Sequence, residues 1–170
     1  DRGQRRARMK VKSDYDVVIA GGGLSGLCLA LQLKQRNSSI DILVLEKLNL
    51  PNPEAAHKVG ESSVEAASYY FENVLKIGDL LADELPKFGL RFFMSSGDNS
   101  DIESRVECGP SHYLYFPSYQ IDRGRFENGL AHRVREAGVE IVDGCRVGNF
   151  RLGKDSHIVS FKTSRESKNV

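Results

Sequence analysis

Tyr15-Asp16-Val17-Val18-Ile19-Ala20 runs directly into Gly21-Gly22-Gly23-Leu24-Ser25-Gly26, and this stretch decides the fold. The first six residues turn β-branched and apolar toward their end, as in a strand buried inside a parallel sheet. Beyond the glycines, Leu24, Leu27, Cys28 and Leu31 recur at helical spacing, and the helix is expected to close near Asn37-Ser38-Ser39. A second apolar strand, Ile40 to Leu45, ends on Glu46, 20 residues after Gly26. Strand, glycine turn, helix, strand and acid in this register describe the start of an α/β dinucleotide-binding fold.

Each part of that unit has a physical task. Gly21 allows the tight turn out of the strand, Gly23 lets the backbone approach a pyrophosphate, and Gly26, with Ala30 one turn later, lets the helix pack against the sheet. The helix start then presents N–H groups and its positive dipole end to phosphates. Leu24 and Ser25 in the turn, and Lys47 after the acid, join the candidate cofactor contacts. Glu46 suits the hydroxyls of an adenosine ribose, and its charge disfavours a 2′-phosphate and hence NADP. A glycine turn of this kind also serves packing alone, and the motif by itself does not choose between NAD and FAD.

Residues 47–60 form a loop with Pro51 and Pro53 that ends in Val59-Gly60-Glu61-Ser62. Ser62-Ser63-Val64-Glu65 has the pattern of a capping box, opening a helix with Val64, Ala67, Phe71 and Leu75 on one stripe. A helix start behind a glycine is either a second anion site or an ordinary cap. Alternation from Phe88 to Met94 predicts a strand, residues 95–111 read as a polar surface excursion, and His112 to Pro117 is aromatic and strand-like. Asp122 is placed to cap a helix carrying Phe126, Leu130 and Val134. Arg123 in its first turn opposes the helix dipole unless it meets an anion such as a diphosphate. Gly138 should end that helix, Val139 to Val142 should form a parallel strand, and Cys145–Leu152 with Ile158–Thr163 a hairpin.

Composition narrows the class. The 170 residues are 40% apolar and 28% charged, with 16 Gly, 3 Cys and no Trp, which permits one globular domain and argues against disorder. The net charge of +1 conceals an asymmetry: six bases against Asp1 in residues 1–12, and 18 bases against 22 acids afterwards. Residues 1–13 read as a flexible basic tail, with Met9 as a candidate natural start, and the acidic body offers no broad nucleic-acid footprint. The seventeen uncharged residues from Val17 to Leu33 imitate a signal peptide, but four glycines interrupt them and Asp14 and Asp16 precede them. Neither a secretory leader nor a membrane span fits. Cys28, Cys108 and Cys145 are too dispersed for a disulfide framework or zinc site, so a reducing, cytoplasmic setting without a metal is expected. The acids between Asp98 and Glu107 match no ligand spacing.

In chain order, Gly21-x-Gly23-x-x-Gly26, Glu46, Val59-Gly60-Glu61-Ser62, Pro86-Lys87-Phe88-Gly89 and Gln120-x-Asp122-Arg123-x-x-Phe126 resemble the N-terminal part of the flavin-dependent halogenases, above all the phenol and pyrrole type. That family lies within a wider class of FAD enzymes that includes p-hydroxybenzoate hydroxylase and geranylgeranyl reductase. The resemblance covers residues 15 to about 150. It implies FAD as cofactor, with Gly60, Glu61, Ser62 and Arg123 near it and the strand at Val147 against the adenine. It also implies that Lys87, 27 residues after Gly60, matches the catalytic lysine of tryptophan halogenases. There reduced flavin and O₂ oxidise halide to hypohalous acid, and the lysine guides it to an electron-rich arene. An amine shielded from water suits that role, because desolvation lowers a lysine's pKa; a solvated strand lysine is the plain alternative.

The implied partners are a small aromatic substrate, free or on a carrier protein, and a separate flavin reductase, with no nucleic acid and no membrane span. The fold expected for residues 14–170 is a Rossmann-like FAD-binding domain: a parallel sheet with helices plus a β-hairpin, incomplete at its C-terminus and inactive alone. The family's later glycine–aspartate element and tryptophan-rich signature have no counterpart here. An FAD-dependent hydroxylase, a geranylgeranyl-type reductase and a non-catalytic dinucleotide-binding module are the alternatives.

Overall fold

In the computed structural model, residues 11–95, 97–113, 115–163 and 167–170 are described. Residues 1–10, which include most of the expected tail and Met9, and Leu114 in the aromatic stretch lie outside them. In chain order the elements are β1 (Val17–Ala20), α1 (Leu24–Arg36), β2 (Ile42–Leu45), α2 (Glu65–Tyr69), β3 (Leu85–Lys87) and β4 (Phe92–Met94). Then follow β5 (Val106–Cys108), β6 (Ser118–Gln120), α3 (Arg123–Glu136), β7 (Glu140–Val142), β8 (Cys145–Leu152), β9 (His157–Thr163) and β10 (Ser167–Asn169). The chain divides into two compact units, one of residues 1–51 and 131–170, the other of residues 52–130. Among the described residues no helix is long and apolar enough to cross a membrane.

The first unit is the expected α/β structure. β1, β2 and β7 form a parallel sheet in the order β1-β2-β7, with Val17 opposite Ile42 and Leu43 opposite Glu140. All four residues of β2 are buried, as its uninterrupted apolar run requires. α1 lays Leu27, Cys28, Ala30 and Leu31 inward and ends at Asn37, whose N–H still reaches the Leu33 carbonyl at 2.9 Å. β8 and β9 make the expected hairpin, with β10 added beside β9. Leu43, Leu45, Val142, Cys145, Val159 and Phe161 form a buried cluster that joins β2 and β7 to that hairpin.

The second unit departs from the sequence reading in three places. The expected capping box at Ser62 does not form. Ser63 N–H donates to the Tyr119 carbonyl at 2.8 Å and Ser62 bridges to Gln120, so the segment is drawn out beside β6. Extended Val64 becomes the N-cap, α2 is only five residues long, and a π-turn over Tyr70–Val74 follows. The predicted strand from Phe88 to Met94 is broken, because Gly89 has φ +140° and separates β3 from β4. The aromatic run from His112 to Pro117 is not a strand in its described part. β3 offers a three-residue edge, which pairs with Ser118–Gln120 and leaves nothing for the residues before it. The polar excursion contains β5, fully exposed and paired with β4, whose Phe92, Phe93 and Met94 are exposed as well. In this unit the tilted rings of Phe71 and Phe126 meet at 5.1 Å, and Leu75, Ile77, Leu81 and Ile121 are buried with them.

The tightest approach in the first unit is at Gly26. A Cβ there would lie 1.9 Å from the Gly21 carbonyl oxygen and 3.2 Å from Ile19 Cγ2. Gly26→Ala must therefore push α1 away from β1, and a loss of about 1–3 kcal/mol or more in urea denaturation is expected. Unchanged stability would show that the helix does not seat on the strand this closely.

Candidate functional site

In the first unit the site is the junction of β1, α1 and the end of β2. Gly21 leaves β1 with φ +119°, a conformation that favours glycine, and its N–H closes onto the Leu45 carbonyl at 2.8 Å. Gly23 is the N-cap of α1. No side chain caps that helix and no acid lies in its first turn, while Lys34 and Arg36 complement the dipole at the other end. Leu24 is half-buried and Ser25 exposed at the helix start.

Glu46 is 8% exposed, yet it carries no cationic partner among the described residues. Its Oε2 accepts the Gly22 N–H at 2.6 Å and its Oε1 accepts the Leu48 N–H at 2.8 Å. A carboxylate has about four lone-pair sites, so two remain for ribose hydroxyls. The carboxylate is thus tied to the glycine turn itself, and glycine turn, helix start and acid fit a dinucleotide as a donor and acceptor set. Lys47 is exposed beside it. Val147 packs its side chain against the buried cluster of this unit, and the β8 register skips between Val147 and Asn149, leaving an irregular backbone there. Cys145 is a buried core residue, and burial pushes its thiol pKa up.

The second unit gathers the other five candidates. Gly60 has φ +89°, and a Cβ there would stand 3.7 Å from an Arg123 guanidinium nitrogen. Arg123 Nη1 donates to the Val59 carbonyl at 3.0 Å and Nη2 to the Glu127 carboxylate one turn on. Its Nε is buried without a hydrogen-bond partner among the described residues. The anion that answers this first-turn cation within the unit is Glu127, which sequence reading passed over. Glu127 is 1% exposed and also accepts from Lys58 Nζ at 2.6 Å and Asn52 Nδ2 at 3.1 Å. Its only sequence signal is the i, i+4 spacing from Arg123. Glu61 Oε1 accepts from Lys58 N–H at 3.1 Å, and the Glu61 carbonyl from Ile121 N–H at 2.7 Å. Lys87 closes β3, half-buried, with Nζ donating to the Ser62 hydroxyl and, at 2.8 Å, to the Ser63 carbonyl.

No protein-family model matches the chain. The flavin-dependent halogenase chlA of Dictyostelium discoideum is 34% identical over 144 residues, 79% of this chain and 23% of that protein. Protein FixC of Escherichia coli K12 is 28% identical over 152 residues, 85% of this chain and 32% of that one. Among solved structures, the myxobacterial chondrochloren halogenase CndH superposes with a TM-score of 0.73 at 21% identity, covering 91% of this chain and 35% of its own. Halogenase PltM, solved in complex with phloroglucinol and FAD, gives a TM-score of 0.70 at 16% identity, over 91% and 32%. This chain therefore has the fold that opens the FAD-dependent oxidoreductases. Within that class it resembles the flavin-dependent halogenases, in sequence as in backbone, and it spans about a quarter to a third of the length of these relatives.

Asp122 ties the second unit's site to the start of α3. Its carboxylate accepts from Ala55 N–H at 2.7 Å, Gly124 N–H at 2.9 Å and Arg125 N–H at 3.2 Å. These bonds, that from Ala55 foremost, hold its pKa below the usual aspartate value. A depressed folded pKa means that the stabilisation is full above the ordinary value near about 3.9 and is lost as pH falls through the lowered one. Asp122→Ala should lose about 1 kcal/mol near neutral pH in urea denaturation, with the difference from wild type shrinking below about pH 4. A difference that stays constant into acid would mean that the carboxylate charge contributes nothing.

Proposed function

We propose that this chain holds the adenosine and diphosphate part of FAD at the N-terminus of α1 and at Glu46, and supplies the working lysine of a halogenase. The substrate class is an electron-rich arene, served by reduced flavin from a separate reductase. When bound, reduced FAD would supply two of the four electrons that take O₂ to water and hypohalous acid, the halide giving up the other two. Glu46 orients the ribose, the α1 N–H groups face the phosphates, and Arg123 braces the Val59-Gly60 turn. Lys87 gives a proton to the oxygen of hypohalous acid as the halogen passes to a ring carbon, so that the oxygen leaves as water, and the proton then lost from that carbon returns to the amine.

The observation that carries this reading is the setting of Lys87. Its amine is fixed by two neutral oxygens and paired with no carboxylate among the described residues, as a group reserved for a reacting partner should be. The arene itself is supported by the residue after it. Phe88 lines a cavity of about 540 Å³ with Leu90, Pro110 and Tyr113, and its ring meets that of Tyr113 at 5.5 Å.

Two experiments test this. Glu46→Ala should weaken FAD binding by about 10- to 100-fold in calorimetry, the weight of one or two charge-assisted hydrogen bonds. Unchanged affinity removes Glu46 from the cofactor site. Lys87→Ala should leave FAD affinity intact while lowering halogenated product by about 10²–10⁴-fold, and Lys87→Arg should not restore it, since a guanidinium does not give up its proton. Full halogenation by Lys87→Ala ends the assignment. If wild type supplied with reduced FAD, O₂ and halide yields no halogenated arene over a broad panel, the hydroxylase or reductase reading replaces this one.

A further inference from the structure

A lysine ammonium has three N–H donors, and two of those of Lys87 have fixed acceptors, the Ser62 hydroxyl and the Ser63 carbonyl. The acceptors are themselves held. Ser63 N–H donates to the Tyr119 carbonyl at 2.8 Å, Tyr119 N–H returns a bond to Ser63 Oγ at 2.7 Å, and Ser63 Oγ lies 3.2 Å from the buried Ser68 hydroxyl. Ser62 is pinned by its bridge to Gln120, and Lys87 by its pairing opposite Ser118 in the β3–β6 ladder. The side chain that needs placing and the two oxygens that place it are therefore mounted on the two stretches that pair with β6, β3 and the extended segment at Ser62-Ser63.

We infer that Ser62, with the Ser63 carbonyl, is a two-point seat for the Lys87 amine, which makes Ser62 a positioning residue of the reaction. Lysine has a long flexible stem and a point charge with no preferred direction of its own. Two bonds to a rigid ladder give it one, and they leave a single N–H turned to the reacting oxygen. Ser62 stands among the cofactor contacts by its place after Gly60-Glu61, but the partner of its hydroxyl is Lys87. The inference rests on Lys87 being the working lysine.

The test uses the full-length FAD-loaded protein and three variants, Ser62→Ala, Ser62→Thr and Lys87→Ala. Ser62→Ala is expected to lower kcat for halogenated product by about tenfold or more, with arene KM and FAD affinity unchanged, because a loosened catalytic group loses rate before binding. Ser62→Thr keeps the hydroxyl and should restore the rate. A readout free of turnover is the acetylation rate of Lys87 by acetic anhydride, followed by peptide mass spectrometry against exposed Lys154. It should rise about fivefold in Ser62→Ala, the factor that one ordinary hydrogen bond represents, and return to the wild-type rate in Ser62→Thr. Wild-type acetylation or wild-type kcat in Ser62→Ala overturns the seat. So does a loss of FAD affinity with Lys87 acetylation unchanged, which makes Ser62 a cofactor contact. Failure of the parent reading shows elsewhere, as full halogenation by Lys87→Ala.

Discussion

The first unit depends on a missing side chain. With no Cβ at Gly26, α1 can lie against the Gly21 carbonyl, and that contact fixes where the helix begins relative to β1. The end of β2 is then tied to the same turn, because Glu46 accepts the Gly22 N–H and places its own Cβ 2.8 Å from where a Gly22 side chain would be. Two strands, a helix start and a carboxylate thus share one small volume that larger residues would fill. The arrangement leaves N–H donors and carboxylate lone pairs side by side, which is what a ribose next to a diphosphate requires.

The second unit is organised by charge. Glu127 is fully buried and would be unstable without Arg123, Lys58 and Asn52 around it. Glu84 is buried in the same way, holding Arg125 at 3.1 Å and the Asp122 N–H at 2.7 Å. These carboxylates fix the start of α3 and, through Arg123 and Lys58, the turn around Gly60. Removing one partner leaves a buried carboxylate less fully paired and away from water, which makes such networks costly to open.

The two units answer different questions about function. The glycine turn and Glu46 offer the donors and acceptors that a dinucleotide takes, whatever reaction follows, and the chain is similar both to a halogenase and to FixC. Lys87 and its seat have no part in holding a dinucleotide turn. In the proposed reading they are what bears on which reaction is carried out, and they sit on β3 and the segment beside β6.

What the sequence determined by itself was whatever a local pattern encodes. The β1–α1–β2 unit, Glu46 at its end, the Asp122 cap, the buried stripe of α3 and the β8–β9 hairpin follow from period, turn chemistry and spacing, all of which act over a few residues. Resemblance carried the FAD-binding fold and singled out Lys87. Tertiary structure decided the rest, wherever a residue's partner lies far along the chain. Ser62 and Ser63 carry a cap pattern, but strand β6 takes their backbone and Lys87 takes the Ser62 hydroxyl. Phe88–Met94 and His112–Pro117 have strand composition, but Gly89 splits the first, and beyond the second it is Ser118–Gln120 that pairs with β3. Glu127 reads as one more helix acid until Lys58, 69 positions away, closes over it. A capping hydroxyl, a strand edge and a buried carboxylate are each settled by competition among acceptors and donors, and the winners are known only once the chain has folded.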